Sequence, residues 1–406
     1  MNNIGIIAEY NPFHNGHAYQ LAQVKRAYRA ENIIAVMSSS FVQRGEPACA
    51  DKFTRAGWAL RGGADIVIAL PDVLSCACAQ RFAEGGIKLL KASGIVDGLC
   101  FGSESGDIEK LRCIADAEPE KDVLNALLAK GLPYPAAMSK SLKASVPDAG
   151  SLPPNDILGI EYLRAIKKYA PDFKAFALKR TGAAHSETEL ARSADGSFIA
   201  SASSIRTAFL KYGADAAEKA GDYMPSFVSE NIKRLCEAGK FPAELSGLSG
   251  SILYLFRTME PERIAALADV SEGLENVFKR ASYESDSVSE LLEKVKTKRY
   301  TLARLRRICI NALLGTDEEL QQLSLNAPDA LYIRVLGIRK EKLNLLSEMK
   351  HSSVLPVVTR FSDTACLSPN ALKLTEHSGR AAAIRDLACP VCRKTTDDFS
   401  HPLIIV

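Results

Sequence analysis

His14 and His17, held apart by Asn15 and Gly16, close the run Ile7-Ala8-Glu9-Tyr10-Asn11-Pro12-Phe13-His14-Asn15-Gly16-His17, and their chemistry is that of anion recognition. Each imidazole can donate a hydrogen bond, and Gly16 lets a phosphate approach the backbone closely. The run lies where a strand feeds a helix. Ile4 to Ala8 is short, apolar and β-branched, and Asn15 is a suitable N-cap for a helix carrying Ala18, Leu21, Ala22, Val24 and Ala27 at near-helical spacing. The unpaired N–H groups and positive dipole end of such a helix already favour an anion. The expected ligand is the phosphate chain of ATP. An isolated histidine would be read as a cap or a packing residue, but a pair divided by Asn-Gly is harder to read that way. Zinc is a poor rival, because no further ligands stand nearby and zinc takes four.

A second element, Ala200-Ser201-Ala202-Ser203-Ser204-Ile205-Arg206, opens another helix. Ser203, Ser204 and Arg206 offer N–H groups, hydroxyls and a guanidinium suited to triphosphate oxygens. By itself the element reads equally as a serine-rich N-cap followed by a surface arginine. Between the two lie Ser38 to Pro47, Lys52 and Arg55, and Phe101-Gly102-Ser103-Glu104. Gly102, at a strand end, can admit an adenosine to the backbone. Arg44, Lys52, Arg55, Asn155 and Arg180 each serve as well for ligand contacts as for solvated or capping positions.

The elements that must position these residues alternate. From Ile4 to about Phe209 short apolar runs exchange with amphipathic stretches: Asn32 to Ser38, Lys52 to Arg61, Ala64 to Leu70, Cys76 to Ala92 and Gly98 to Phe101, as strand, helix, strand, helix and strand. This is the pattern of an α/β, Rossmann-like, doubly wound parallel sheet, whose ligands bind at the carboxyl ends of strands. An insertion with Pro133, Pro135 and Pro147 precedes a helix from Asn155, its expected cap, to Tyr169. Lys174 to Arg180 reads as a strand, with Thr181, Gly182 and His185 on its ligand-facing end. The division expected is residues 1–210 as an ATP-binding catalytic unit, 211–316 as a helical unit, and 317–406 as a mixed α/β region with strands near Leu331 to Leu336 and Val354 to Val358.

The chain has 406 residues, a formal net charge of +3 and 47% hydrophobic residues, so two or three ordinary globular cores are expected. No apolar run approaches a membrane span and no signal-peptide pattern opens the chain, so a soluble, cytoplasmic protein is expected. The ten cysteines are mostly scattered singly through apolar segments, as suits buried free thiols. Cys389 and Cys392 have metal spacing, with His377 or His401 as conceivable partners, but no second pair follows; no protein-held metal site is expected. Lys294, Lys296, Lys298, Arg299, Arg304, Arg306 and Arg307 form a basic window around Tyr300. It reads either as a solvated helix face or as a phosphate-contacting surface for RNA.

The His-x-Gly-His signature after a first strand resembles that of the nucleotidyltransferase superfamily that includes class I aminoacyl-tRNA synthetases. A fuller resemblance runs through Tyr-Asn-Pro-Phe-His-Asn-Gly-His, Phe-Val-Gln-Arg-Gly-Glu-Pro-Ala, Gly-Ala-Asp-Ile-Val-Ile, Phe-Gly-Ser-Glu, Pro-Asn-Asp-Ile-Leu-Gly, Ala-Ser-Ala-Ser-Ser-Ile-Arg and Thr-Lys-Arg-Tyr-Thr. Over nearly its whole length the chain resembles the bacterial tRNA(Met) cytidine acetate ligases. One departure is Ala69, where an acidic residue is common in that family. The resemblance implies ATP-dependent activation of acetate as acetyl-adenylate, then acetylation of N4 of the wobble cytidine of elongator tRNA(Met). It implies ATP contacts from Ile7, Ala8, Glu9, Tyr10, Asn11, Pro12, Phe13, His14, Asn15, Gly16, His17, Gly102, Asn155, Arg180, Thr181 and Ser203. His14, His17, Ser204 and Arg206 are the catalytic candidates, Mg²⁺ travels with ATP, and Lys294, Lys298, Arg299 and Arg306 are candidates for tRNA. No obligatory protein partner is implied. Two rivals remain open: a nucleotidyltransferase that adenylylates a small phosphorylated metabolite, and a non-catalytic RNA-binding protein with a degenerate nucleotide site.

Overall fold

Runs rich in isoleucine and valine build the middle of one sheet. In the computed structural model the strands are β1 (Asn3–Ala8), β2 (Asn32–Ser38), β3 (Phe41–Val42), β4 (Glu46–Pro47), β5 (Ile66–Leu70), β6 (Gly98–Ser103), β7 (Lys174–Lys179), β8 (Ile333–Ile338), β9 (Val357–Val358) and β10 (Ile404–Ile405). The structure describes residues 2–406 except 133, 143–151, 181–189, 191–197, 272, 392, 393, 396, 397 and 399, and except the side chains of Tyr134, Pro135 and Phe361. Thr181, Gly182, His185, Pro133, Pro147 and Cys392 therefore lie outside the described residues.

The sheet runs β10-β8-β5-β2-β1-β6-β7, with β9 also beside β8, and β3 pairs only with β4 in a separate hairpin. β1 is parallel to β2 and β6, β2 to β5, and β6 to β7, so the order reverses between β1 and β6. That reversal is the doubly wound switch point, where a crevice opens at the carboxyl ends of the strands. Side chains alternate across the sheet with period two. Ile4, Ile6, Ile33 and Ala35 pack against α1 (Asn15–Ala27) and α2 (Lys52–Arg61), while Ile7, Ile34, Val36 and Ile68 pack against α3 (Ala79–Ala92) and α4 (Pro154–Tyr169). Further on come α5 (Ala202–Tyr212), α6 (Leu302–Leu314) and α7 (Pro369–Leu387). Leu305 and Ile308 of α6 share a third core with Phe256, Phe278 and Leu291, and that core also takes in Phe41 and Ala381. Among the described residues no helix is long and apolar enough to cross a membrane.

Several local expectations need correction. The N-cap of α1 is His14 rather than Asn15, because the histidine side chain accepts the backbone bond a cap must take. Pro153 caps α4, and Asn155 stands inside its first turn, where Pro154 already supplies the fixed φ of a helix start. The stretch from Cys76 to Ala92 is not one helix: Asp72–Ser75 forms a single turn and α3 begins only at Ala79.

The region after 316 extends the same sheet. Its strand β8 pairs antiparallel with β5, from Ile66 opposite Ile338 to Ala69 opposite Arg334, so the sheet is mixed rather than wholly parallel. Ile333, Val335, Leu336 and Ile338 are fully buried there, which at about 1.5–3 kcal/mol per side chain rivals the whole stability of a typical domain. A chain ending at residue 316 is accordingly expected not to fold; a cooperative thermal transition of that fragment close to that of the full chain would refute this.

Candidate active site

At the end of β1 the chain turns through Tyr10, whose φ of +48° is rare for a side chain of its size. Its ring is buried and stands edge-on to His17, with centroids 4.9 Å apart. The two histidines then cap each other's helix turn. His14 Nδ1 accepts from the Gly16 N–H at 3.1 Å, and His17 Nδ1 accepts from the His14 N–H at 3.3 Å. The rings stack with centroids 3.8 Å apart. Since both Nδ1 atoms accept, each neutral ring carries its proton on Nε2, an assignment that follows from the hydrogen bonds. Burial, helped by the positive charges of Arg180 and Arg206, lowers His14 to about 3. His17 is held well below its usual value by burial, then by His14 and Arg180. Two uncharged N–H donors thus stand at a helix N-terminus.

Gly16 makes room for this arrangement, because a Cβ there would come within 2.9 Å of His14 Cε1. Asn15 pins the start of α1 to a distant segment, its Nδ2 donating to the carbonyls of Phe198 at 3.0 Å and Asp222 at 2.7 Å. A small cavity forms between the histidines and the ends of β6 and β7, lined by His14, Gly16, His17, Gly102, Arg180 and Ile199 among others. The Arg180 side chain lies over Gly102, where a Cβ would meet its Cγ at 3.4 Å. Beside it Asn155 donates to Glu104 Oε1 at 2.5 Å, and the Asp156 N–H donates to Oε2 at 3.1 Å. Asp156 returns the bond by accepting from the Glu104 N–H at 3.0 Å. This lock fixes the loop after β6.

On the other side of the β1–α1 loop Arg206 donates to the Asn11 carbonyl at 2.7 Å and to Glu46 Oε2 at 3.0 Å. Ser203 Oγ lies 3.4 Å from the same guanidinium. Ser204 is different. It is buried, its N–H donates to Ser201 Oγ at 3.0 Å and its hydroxyl donates to the Ser201 carbonyl at 2.9 Å. Both of its donors are thus engaged at the start of α5.

The family model described as HIGH Nucleotidyl Transferase matches residues 1–394. Two relatives named tRNA(Met) cytidine acetate ligase align over 100% of both chains: that of Thermoanaerobacter sp. (strain X514) at 39% identity and that of Acetivibrio thermocellus at 36%. The chain belongs to this family. It is also similar to the crystal structure of Thermotoga maritima TmcAL bound with alpha-thio ATP, at 31% identity and a TM-score of 0.89 over 100% of both chains, and to the apo form of the same protein at 0.91.

Within this family's site the remaining basic residues sort by burial. Arg55, open to either reading in sequence, is fully buried. It donates to the carbonyls of Glu9 at 2.6 Å, Ala50 at 3.0 Å and Ser39, and burial lowers it to about 10. Its work is to tie the ends of β1 and β2 to α2. Lys52 is buried on Asp398, 2.6 Å away. Glu9 accepts from the Gln43 N–H at 3.0 Å, and burial pushes its pKa up against the pull of Arg44. The basic window is not one face: Lys294, Lys296, Lys298 and Arg299 are exposed, Arg304 and Arg306 are half-buried, and Arg307 is buried on Asp269 at 2.7 Å. Arg306 stands apart from Lys298 and Arg299, because it bonds Glu46 beside Arg206. Glu46 is the site residue that the sequence reading left unnamed; its only signal was a place in the Arg-Gly-Glu-Pro run. His377 bonds Thr316 Oγ1 at 2.7 Å, and the ring of His401 stacks on that of Phe53 with centroids 3.8 Å apart.

The lowered pKa of His14 has a definite sign in stability. The unfolded ring takes a proton below about 6.5 while the folded ring stays neutral to about 3, so folding stability is lost as pH falls through this window. His14→Gln is expected to reduce the slope of unfolding free energy against pH by up to about 1.4 kcal/mol per pH unit there. Equal slopes in denaturant titrations at several pH values would show that the ring is not held neutral.

Proposed function

We propose that this protein joins acetate to the N4 amine of the wobble cytidine of elongator tRNA(Met) through an acetyl-adenylate. An acetate oxygen attacks the α-phosphorus of ATP and pyrophosphate departs. The cytidine amine then attacks the acetyl carbon and AMP departs. The observation that carries the reading is the pair of neutral, mutually capped imidazoles at the N-terminus of α1. Their Nε2–H groups can follow charge that develops on the phosphates without giving up a proton, while Arg180 and Arg206 supply positive charge on either side. Acetate is its own nucleophile, so positioning and electrostatics suffice for activation.

Family membership and the likeness to an enzyme with bound alpha-thio ATP support ATP as co-substrate. Mg²⁺ enters in this reading as the counter-ion of the triphosphate. The tRNA is assigned to the helical part, where Lys294, Lys298 and Arg299 are exposed. The domain reading that accompanies this sets the nucleotide in the sheet and the RNA on the helices around 211–316.

The direct experiment incubates the protein with ATP, labelled acetate and bulk bacterial tRNA. Label is expected in N4-acetylcytidine, with one AMP formed per acetyl group. Transfer of adenylate to a small phosphorylated metabolite, with unlabelled tRNA, would replace this reading by that of a metabolite adenylyltransferase. His17→Ala is expected to slow acetate-dependent AMP formation by about 10²- to 10³-fold in a folded protein, the usual effect of removing one preorganised donor. Changing Lys294, Lys298 and Arg299 together to Ala should flatten the salt dependence of tRNA binding by up to roughly 0.7 to 0.9 log unit of slope per lost contact. An unchanged slope would move the RNA surface elsewhere.

A further inference from the structure

One carboxylate holds two arginines that are a hundred residues apart. Glu46 stands at the end of the β3–β4 hairpin. Its Oε2 accepts from Arg206 Nη2 at 3.0 Å and its Oε1 accepts from Arg306 Nη1. The three side chains keep 22%, 19% and 31% of their surface, so a ligand can reach them. Arg206 also grips the Asn11 carbonyl, which sets the cluster against the β1–α1 loop.

The approach of the hairpin to α6 depends on glycine. Gly45 has a φ of +74°, and a Cβ there would lie 2.4 Å from the backbone nitrogen of Arg307 and 2.6 Å from the carbonyl carbon of Arg306. Arg307 secures the contact from below. It bonds both oxygens of Asp269, at 2.7 and 3.2 Å, and reaches the Gln43 carbonyl at 3.4 Å. The helical part of the chain thus delivers Arg306 to a site otherwise built on the sheet. Arg306 is not saturated there, since its Nε is buried without a hydrogen-bond partner among the described residues.

Two guanidiniums sharing one carboxylate leave a net positive charge beside the loop that faces the nucleotide phosphates. A lone Arg206–Glu46 pair would be neutral. We propose that Arg306 is a positioning residue of the nucleotide site: by taking half of the Glu46 carboxylate it keeps Arg206, held on Glu46 and the Asn11 carbonyl, from being neutralised and so able to attract the triphosphate, and the helical part takes part in the activation step as well as in holding RNA. The inference rests on reading the site as one for ATP.

The charge argument makes a prediction that loss of packing does not. Arg306→Ala should weaken ATP binding about tenfold, the scale of one charge-assisted hydrogen bond, because Glu46 then neutralises Arg206. Glu46→Gln added to Arg306→Ala should restore ATP affinity to about that of the wild type. The measurements are ATP titration and acetate-dependent pyrophosphate exchange, both without tRNA, on variants whose thermal transitions show them folded. Arg306→Gln, which keeps more of the stem, replaces Arg306→Ala if the latter does not fold. Wild-type ATP affinity in Arg306→Ala, or a double variant no better than Arg306→Ala, would overturn the proposal. So would a loss confined to the salt slope of tRNA binding, which would make Arg306 an RNA contact. A wild-type protein that neither binds ATP nor catalyses the exchange would instead reject the reading of the site itself.

Discussion

The reciprocal cap at the start of α1 governs what the site can be. A helix start leaves backbone N–H groups unpaired, and here two imidazoles accept from them through Nδ1. That choice fixes the tautomer of both rings and turns their Nε2–H groups outward as donors. Burial keeps the rings uncharged, so the motif offers directed hydrogen bonds while the arginines around it supply the charge. A lysine in either place would bring a charge but no acceptor for the backbone, and the cap would fail.

Around that cap the protein spends guanidinium groups on its own carbonyls. Arg55 satisfies the carbonyls at the ends of β1 and β2, and Arg206 holds that of Asn11. Loops at the switch point of a parallel sheet carry carbonyls that no strand can pair, and a buried unpaired carbonyl costs about 1–3 kcal/mol. An arginine with five donors can satisfy several at once. The same residues thus stiffen the loops and enrich them in positive charge, which suits a site for a polyphosphate.

The helical part is joined to the sheet at several places, among them the Asn15 bond to Asp222 and the packing of Val228 and Ile232 in the core of α2. Gly45 lets the hairpin touch α6, and β8 returns the chain to the edge of β5 after the helices are complete. The helices are therefore enclosed within the sheet's own connectivity, and their third core includes Phe41 from the hairpin. Such an arrangement suits a two-step reaction in which an activated intermediate must meet a second, larger substrate without leaving the protein.

Local chemistry was legible from the chain by itself. The strand read as Ile4 to Ala8, the anion-favouring turn and the helix behind it all follow from β-branched content, residue spacing and the acceptor capacity of residues within four positions of each other. The sequence likewise carried the family motifs, spread along nearly its whole length. What the tertiary structure decided concerns partners far away in the chain. Asn15 became a staple to Phe198 and Asp222 because the cap it could have made was taken by His14. Ser204 turned inward, Lys52 and Arg55 were buried, and the basic window split between Glu46, Asp269 and solvent. Strand β8 was recognisable as apolar, yet nothing in its period told which edge it would join. Periodicity records which side of an element is wet or dry. It carries no information on which of many carboxylates or carbonyls a guanidinium 260 residues distant will find, because that choice is made by packing after the local structure has formed.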